Sequence, residues 1–202
     1  MKPSLITVAG NRENQDRGLI ITDGSRTFLC VADGAGGRSG GTEAAAMATE
    51  FVRQHMALAN NAGACVELLR QLDVAISNDK VAGETTCVLA IVTPVELFGA
   101  SVGDSGAWLI PASENFFNLT QGQQRKPFLG AGCARPVSFQ HQTPKGSLLV
   151  ATDGLLKHTS ADQIIALCRQ HPPDDAARRL IELVRYPSGA LPDDVTLILA
   201  EY

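Results

Sequence analysis

With 202 residues, 21 acidic against 17 basic side chains and a formal net charge of −4, the chain is sized for one domain. A chain of this length buries roughly 70% of its unfolded surface, so it needs neither a disulfide nor a metal merely to form a core. Its 45% apolar and 19% charged content excludes a disordered chain. The acidic balance argues against a nucleic-acid binder, and no apolar run approaches the roughly 18 residues of a membrane span.

The opening stretch MKPSLITVAGNRENQD has one lysine and too short an apolar segment for a secretory signal, so a cytoplasmic location is expected. Five cysteines without a CxxC pair fit that expectation. Cys30, Cys87 and Cys168 sit in apolar segments and read as reduced core residues.

In chain order, strands are expected at Ser4–Ala9, Leu19–Thr22 and Thr27–Ala32. An apolar stripe through Ala44, Ala48, Phe51 and Val52 predicts a helix. A second helix carries Cys65, Leu68, Leu69, Leu72, Ala75 and Ile76. Strands return at Cys87–Val92, Glu96–Val102, Ala107–Ile110 and Leu148–Thr152. A third helix opens at Ser160 with capping-box spacing and stops before Pro172-Pro173. A fourth presents Ala177, Leu180, Ile181 and Val184 on one face, and a last strand covers Val195–Ala200. Runs of strands and paired helices do not fit the alternation of a doubly wound sheet. The expected fold class is α+β: a four-layer α-β-β-α sandwich of two mostly antiparallel sheets flanked by helices. Residues 1–202 are expected to form a single domain.

The aspartates carry the chemistry. Asp33 ends the run TFLCVA and Asp153 ends SLLVAT, each followed by glycine. Asp104 closes LFGASVG, Asp193-Asp194 precede VTLILA, and Asp16 lies just before the strand at Leu19. Any one of these is ordinary turn chemistry, as Asp23-Gly24 at a hairpin tip remains. Together they gather carboxylates where strand ends crowd, and unpartnered carboxylates held close destabilise a fold. Hard divalent cations such as Mg²⁺ and Mn²⁺ resolve that conflict. Gly34 would let its carbonyl reach an ion without a Cβ in the way. The histidines (His55, His141, His158, His171) are scattered and lack zinc spacing; only His158 falls near Asp153. The stretch Gly34–Gly41, GAGGRSGG, has neither the Walker ending nor GxGxxG spacing, and reads as a tight turn.

Six segments, G-N-R-E-N-Q-D (Gly10–Asp16), V-A-D-G-A-G-G (Val31–Gly37), G-E-T-T (Gly83–Thr86), V-G-D-S (Val102–Ser105), A-T-D-G-L (Ala151–Leu155) and D-D-V-T (Asp193–Thr196), occur in the order found in the metal-dependent protein phosphatases of type 2C, the PPM family. The chain resembles a compact bacterial-type member. The resemblance implies a serine/threonine phosphatase that hydrolyses phosphoserine and phosphothreonine by a water activated between two divalent ions, Mn²⁺ or Mg²⁺. It implies Asp33 bridging both ions, the Gly34 carbonyl on one, Asp153 and Asp193 on the other, and Arg12 gripping the substrate phosphate. Asp16, Gln15 and Asp194 would stand behind the ligands, and Asp104 with Asp153 would hold a weaker third ion. The partner would be a phosphoprotein, opposing a serine/threonine kinase, with neither nucleic acid nor membrane involved and the chain a monomer.

Several positions depart from the family pattern. The spacing from Arg12 to Asp16 is one residue short, Gln15 replaces a common Glu, and Ala35 stands where some relatives have a histidine. Gly106 replaces a frequent Arg, and the flap interval Pro111–Gly146 is short. Two other classes compete: a catalytically inactive pseudophosphatase acting as a binding module, and a phosphatase of a small phosphate ester. The retention of Asp33, Gly34, Asp153 and Asp193 argues against the first. The scarcity of aromatics (one Trp, two Tyr) argues against a nucleotide for the second.

Overall fold

The computed structural model describes residues 2–10, 13–35, 39–113, 115–142 and 145–201. One sheet is built from β2 (Asp16–Asp23), β3 (Arg26–Asp33), β4 (Cys87–Val92), β5 (Glu96–Val102) and β8 (Val137–Gln142), in that order. The other runs β1 (Ser4–Val8), β10 (Val195–Glu201), β9 (Gly146–Ala151), β6 (Gly106–Pro111) and β7 (Phe117–Asn118). Every pairing is antiparallel.

Strands buried on both faces explain why the central segments read as unbroken apolar runs rather than alternating ones. In β3, Phe28, Cys30 and Ala32 face outward onto α1 (Gly41–His55) and α2 (Ala62–Ser77), while Leu29 and Val31 face the opposite sheet. In β10, Val195, Leu197 and Leu199 pack on α4 (Ala161–Gln170) and α5 (Pro173–Val184), while Ile198 and Ala200 point inward. Leu29, Val31, Leu109, Leu148, Val150 and Ile198 thus interdigitate between the two sheets. The result is the expected α-β-β-α sandwich.

Local signals set the helix ends. Asn61 accepts from the Ala64 amide at 2.9 Å, Ser160 caps α4, and Pro173 occupies the first turn of α5, where its missing N–H costs nothing. At the β2–β3 hairpin, Asp23 pairs with Arg26 across Gly24-Ser25, and Gly24 takes φ 59°.

Several elements depart from the sequence expectation, the two-residue strand β7 among them. β2 begins at Asp16, three residues before Leu19, so that aspartate is part of the ladder. β8 is an additional edge strand whose half-exposed VSFQHQ is too polar to read as a buried run; its Phe139 sits over Gly99 on β5. The four-residue helix α3 (Asp153–Leu156) follows β9 directly and is too short to show helical periodicity. Among the described residues, no helix is long and apolar enough to cross a membrane.

Candidate active site

Sheet register does the first part of the work. Asp16 and Asp33 are directly opposed across β2 and β3. By strand alternation Asp33 continues the inward-facing row of Leu29 and Val31, so both carboxylates point into the end of the space between the sheets. Like charges placed opposite one another are unfavourable. Asp16 is 2% exposed, and Thr152 donates its hydroxyl to Oδ2 at 2.8 Å, whereas Oδ1 is buried with no hydrogen-bond partner among the described residues.

The other sheet supplies the rest. Asp153 opens α3 immediately beyond β9, and Asp193-Asp194 lead into β10. These two ends are tied together: Thr152 N–H donates to the Thr196 carbonyl at 2.9 Å, and Thr196 N–H donates to the Thr152 hydroxyl at 2.9 Å. A Cβ on Gly154 would collide with the Asp194 carbonyl, so the Asp-Gly pair is needed for this close approach. Asp194 turns away from the opening, accepting from the Gly10 and Gln15 amides at 2.8 and 2.7 Å. Asp104 stands between β5 and β6. These groups line a cleft of about 430 Å³, with Asp33, Gly34, Asp104, Asp153, Asp193 and Asp194 on its walls and Gln15, Glu84, Thr86 and Phe128 among them.

Thr85 and Thr86 serve as supports. Thr85 donates its hydroxyl to the Asp33 carbonyl at 2.8 Å, and Thr86 accepts from the Asp33 amide at 3.0 Å while contacting the Ser105 hydroxyl at 2.7 Å. Gly34 has a reason that its sequence context did not show: a Cβ there would strike the backbone of Gly41, so the residue is required by the packing of the loop against the start of α1.

Electrostatics single out two groups. Burial pushes the Asp33 carboxyl up to about 9, helped by the charges of Asp16, Asp153, Asp193 and Asp104. Burial likewise pushes Asp16 up to about 7; the Thr152 hydrogen bond works against this and the Asp194 charge adds to it. Two acids forced toward neutrality by burial, with neighbouring carboxylates adding to it, mark a place where a cation would be stabilising. Among the described residues no three His, Cys, Asp or Glu side chains already close on a single point. The carboxylates line the walls instead, as mutual repulsion requires. The bare Asp16 oxygen, the Asp33 carboxylate and the all-oxygen donor set fit hard divalent ions, and Asp33, the Gly34 carbonyl, Asp153 and Asp193 are the groups that could hold them.

Most sequence-predicted residues therefore meet in one cleft. Arg12 lies outside the described residues. Asp16 is beneath the floor, and Gln15 is on the wall. His158 is exposed, and the other histidines bond locally: His55 to the Phe51 carbonyl at 2.9 Å and His171 to Asp175 at 3.1 Å. Sequence reasoning missed three cations on the same cleft, Arg125, Lys126 and Lys157. Lys157 donates to Asp104 at 3.1 Å and to Asp153, and Arg125 donates to Asp104 at 2.6 Å. Its spacing of four from Asp153 is the only signal Lys157 gave; Arg125 and Lys126 lie in irregular chain with none.

Residues 8–169 match the family model for protein phosphatase 2C. Solved structures share the fold: a bacterial serine phosphatase at 22% identity and TM-score 0.82, covering 100% of this chain and 97% of that one. The serine/threonine phosphatase Stp1 of Staphylococcus aureus is similar at 20% identity and TM-score 0.82, covering 100% and 94%. The catalytic domain of the serine/threonine phosphatase PstP, solved in complex with two manganese ions, is similar at 21% identity and TM-score 0.78, covering 99% and 97%. No curated protein sequence matches the chain.

Proposed function

Because the chain belongs to the protein phosphatase 2C family, we propose that it is a metal-dependent protein serine/threonine phosphatase that hydrolyses phosphoserine and phosphothreonine, with residues 1–202 forming one catalytic domain. The observation that carries this reading is the opposed Asp16–Asp33 pair at the base of a carboxylate-lined cleft, a costly arrangement unless cations are held there. Asp33, the Gly34 carbonyl, Asp153 and Asp193 would hold two Mn²⁺ or Mg²⁺ ions. Bound there, the ions supply an acidified water and neutralise charge on the phosphoryl oxygens.

The chain's own groups do the positioning. Asp16 and Asp194 stand behind the ligands, Asp194 fixing Gln15 and Gly10 through their amides. Thr85 and Thr86 clamp both backbone atoms of Asp33. Arg12 is assigned to the substrate phosphate, where a guanidinium fork matches its oxygens. Ala35 on the wall offers no proton, so the departing seryl or threonyl oxygen would take its proton from water or another donor on the cleft. The substrate is a phosphoprotein made by a serine/threonine kinase, and the enzyme acts as a cytoplasmic monomer.

The test is hydrolysis of p-nitrophenyl phosphate and a phosphothreonine peptide with Mn²⁺, with EDTA, and by Asp33→Asn and Asp193→Asn. Turnover that needs Mn²⁺ and collapses in both variants is expected. Activity surviving EDTA, or unchanged in both variants, overturns the two-ion assignment, and a parent protein that turns over no phosphoester with Mn²⁺ overturns the enzyme reading.

A further inference from the structure

The carboxylates of the cleft fall into two electrostatic sets. Asp16 and Asp33 face each other with no cationic side chain bonded to either carboxylate among the described residues; Arg17 reaches only the Asp16 backbone carbonyl, at 2.7 Å. Asp104 and Asp153 share one: Lys157, four residues after Asp153 and at the C-terminal cap of α3, donates its ammonium to Oδ2 of both. Arg125 adds a second cationic donor on the same Asp104 oxygen at 2.6 Å. The two carboxylates are 17% and 10% exposed, so their charge is poorly screened, while Lys157 keeps its stem anchored by its amide bond to the Asp153 carbonyl at 2.8 Å.

We propose that Lys157 is a resident counter-ion, a positioning residue that takes the place of a divalent cation between Asp104 and Asp153, so that this chain holds two ions and excludes a third. The inference rests on the two-ion reading above. Asp104, Asp153, Lys157 and Arg125 together are neutral when all are ionised, whereas Asp16, Asp33 and Asp193 offer three carboxylates that become fully charged only when a cation binds. A divalent ion gains from entering the second set. Entering the first, it has to expel an ammonium and sit against the Arg125 guanidinium, and like charges at that range repel. The expectation of a third ion on Asp104 is thereby replaced by a protein-borne cation, and Lys157 holds Oδ2 of Asp153 in a fixed direction next to the two-ion centre.

The count of bound Mn²⁺ tests this, by calorimetry and by the electron paramagnetic signal of free Mn²⁺, on the whole chain. Wild type, Lys157→Arg and Asp104→Asn should each bind two ions. Lys157→Gln should bind a third, more weakly than the others, and lose it again when combined with Asp104→Asn. Three ions in the wild type with one lost in Asp104→Asn overturns the inference while leaving the two-ion reading intact, as does a folded Lys157→Gln that binds only two. Should Lys157→Gln not fold, wild type against Asp104→Asn still decides. A wild type that binds no Mn²⁺ overturns both.

Discussion

Two places in this molecule bury aspartate, and they do so in opposite ways. Asp73, on the packed face of α2 and 4% exposed, accepts from the amides of Gly130, Gly132 and Ala134 at 2.7, 3.1 and 2.9 Å. Its charge is spent on three backbone donors, and it pins the loop whose Leu129 pairs with Thr85. Asp16 and Asp33 have no comparable set of donors, and burial and neighbouring charge drive both toward the neutral form. A buried carboxylate that is fully hydrogen-bonded is architecture. One left facing another carboxylate is a site awaiting a ligand.

The sharpest way to break this contrast is to neutralise one acid in each place. Asp33→Asn should lower Mn²⁺-dependent turnover by at least about 10²-fold, the scale for losing one preorganised electrostatic group, while raising the melting temperature of the metal-free protein. Asp73→Ala should do the reverse to stability. Three amides lose their acceptor at about 1–3 kcal/mol each where no water replaces it, so a loss of about 3 kcal/mol and roughly 6–12 °C in melting temperature is expected. Calorimetry of both variants without metal, beside initial rates with Mn²⁺, reads the two effects. If Asp33→Asn melts lower than the wild type without metal, the unpaired-acid description fails.

Cation binding sharpens the same contrast. A single ion that binds only the native state at about a hundredfold excess over its dissociation constant adds about 2.7 kcal/mol, hence roughly 5–11 °C as the least rise for a two-ion site. Mn²⁺ should give that rise in the wild type, retain it in Asp73→Ala from a lower starting point, and lose most of it in Asp33→Asn. A wild type whose melting temperature does not move with Mn²⁺ argues against a tight site.

What the sequence disclosed follows the same physics. Asp33, Asp104, Asp153 and Asp193 were legible because each interrupts an apolar strand at its end, a local pattern, and the two-layer sheet order followed from strands and helices grouped rather than alternating. Asp73 had a signal that could have been used: it lies four residues after Leu69 and three before Ile76, on the apolar stripe of α2, where a charge must find donors. Lys157 and Arg125 were out of reach, since what matters is that α3 and the segment before Phe128 converge on Asp104, a fact of tertiary geometry. β8 was hidden by its edge position, where every second residue meets water.

The smallest effect, and the one that isolates the Asp16–Asp33 pair, is the pH dependence of the metal-free protein. Both acids have folded-state values above the ordinary 3.8, at about 7 and about 9, so the native state binds more protons than the unfolded chain across that interval. Stability is then fully present below about pH 4 as far as these groups are concerned, and drains away as pH rises through 7 toward 9. Other shifted groups act outside the window. Asp175 is held below the ordinary value by the Arg179 hydrogen bond, which matters only in acid, and the buried Cys65 and Cys168 thiols, pushed up to about 12, matter only above 9. Between pH 5 and 8 the metal-free wild type should therefore lose about 1–2 kcal/mol, or roughly 2–8 °C in melting temperature, since water entering the open cleft softens the repulsion. Saturating Mn²⁺ should abolish the decline, because it holds the carboxylates ionised at every pH in that range. Asp33→Asn should shrink it without metal, because the more strongly shifted of the two acids is removed while burial still holds Asp16 above the ordinary value. A metal-free wild type with the same melting temperature at pH 5 and pH 8 would show that the two carboxylates are already neutralised by something other than a bound cation.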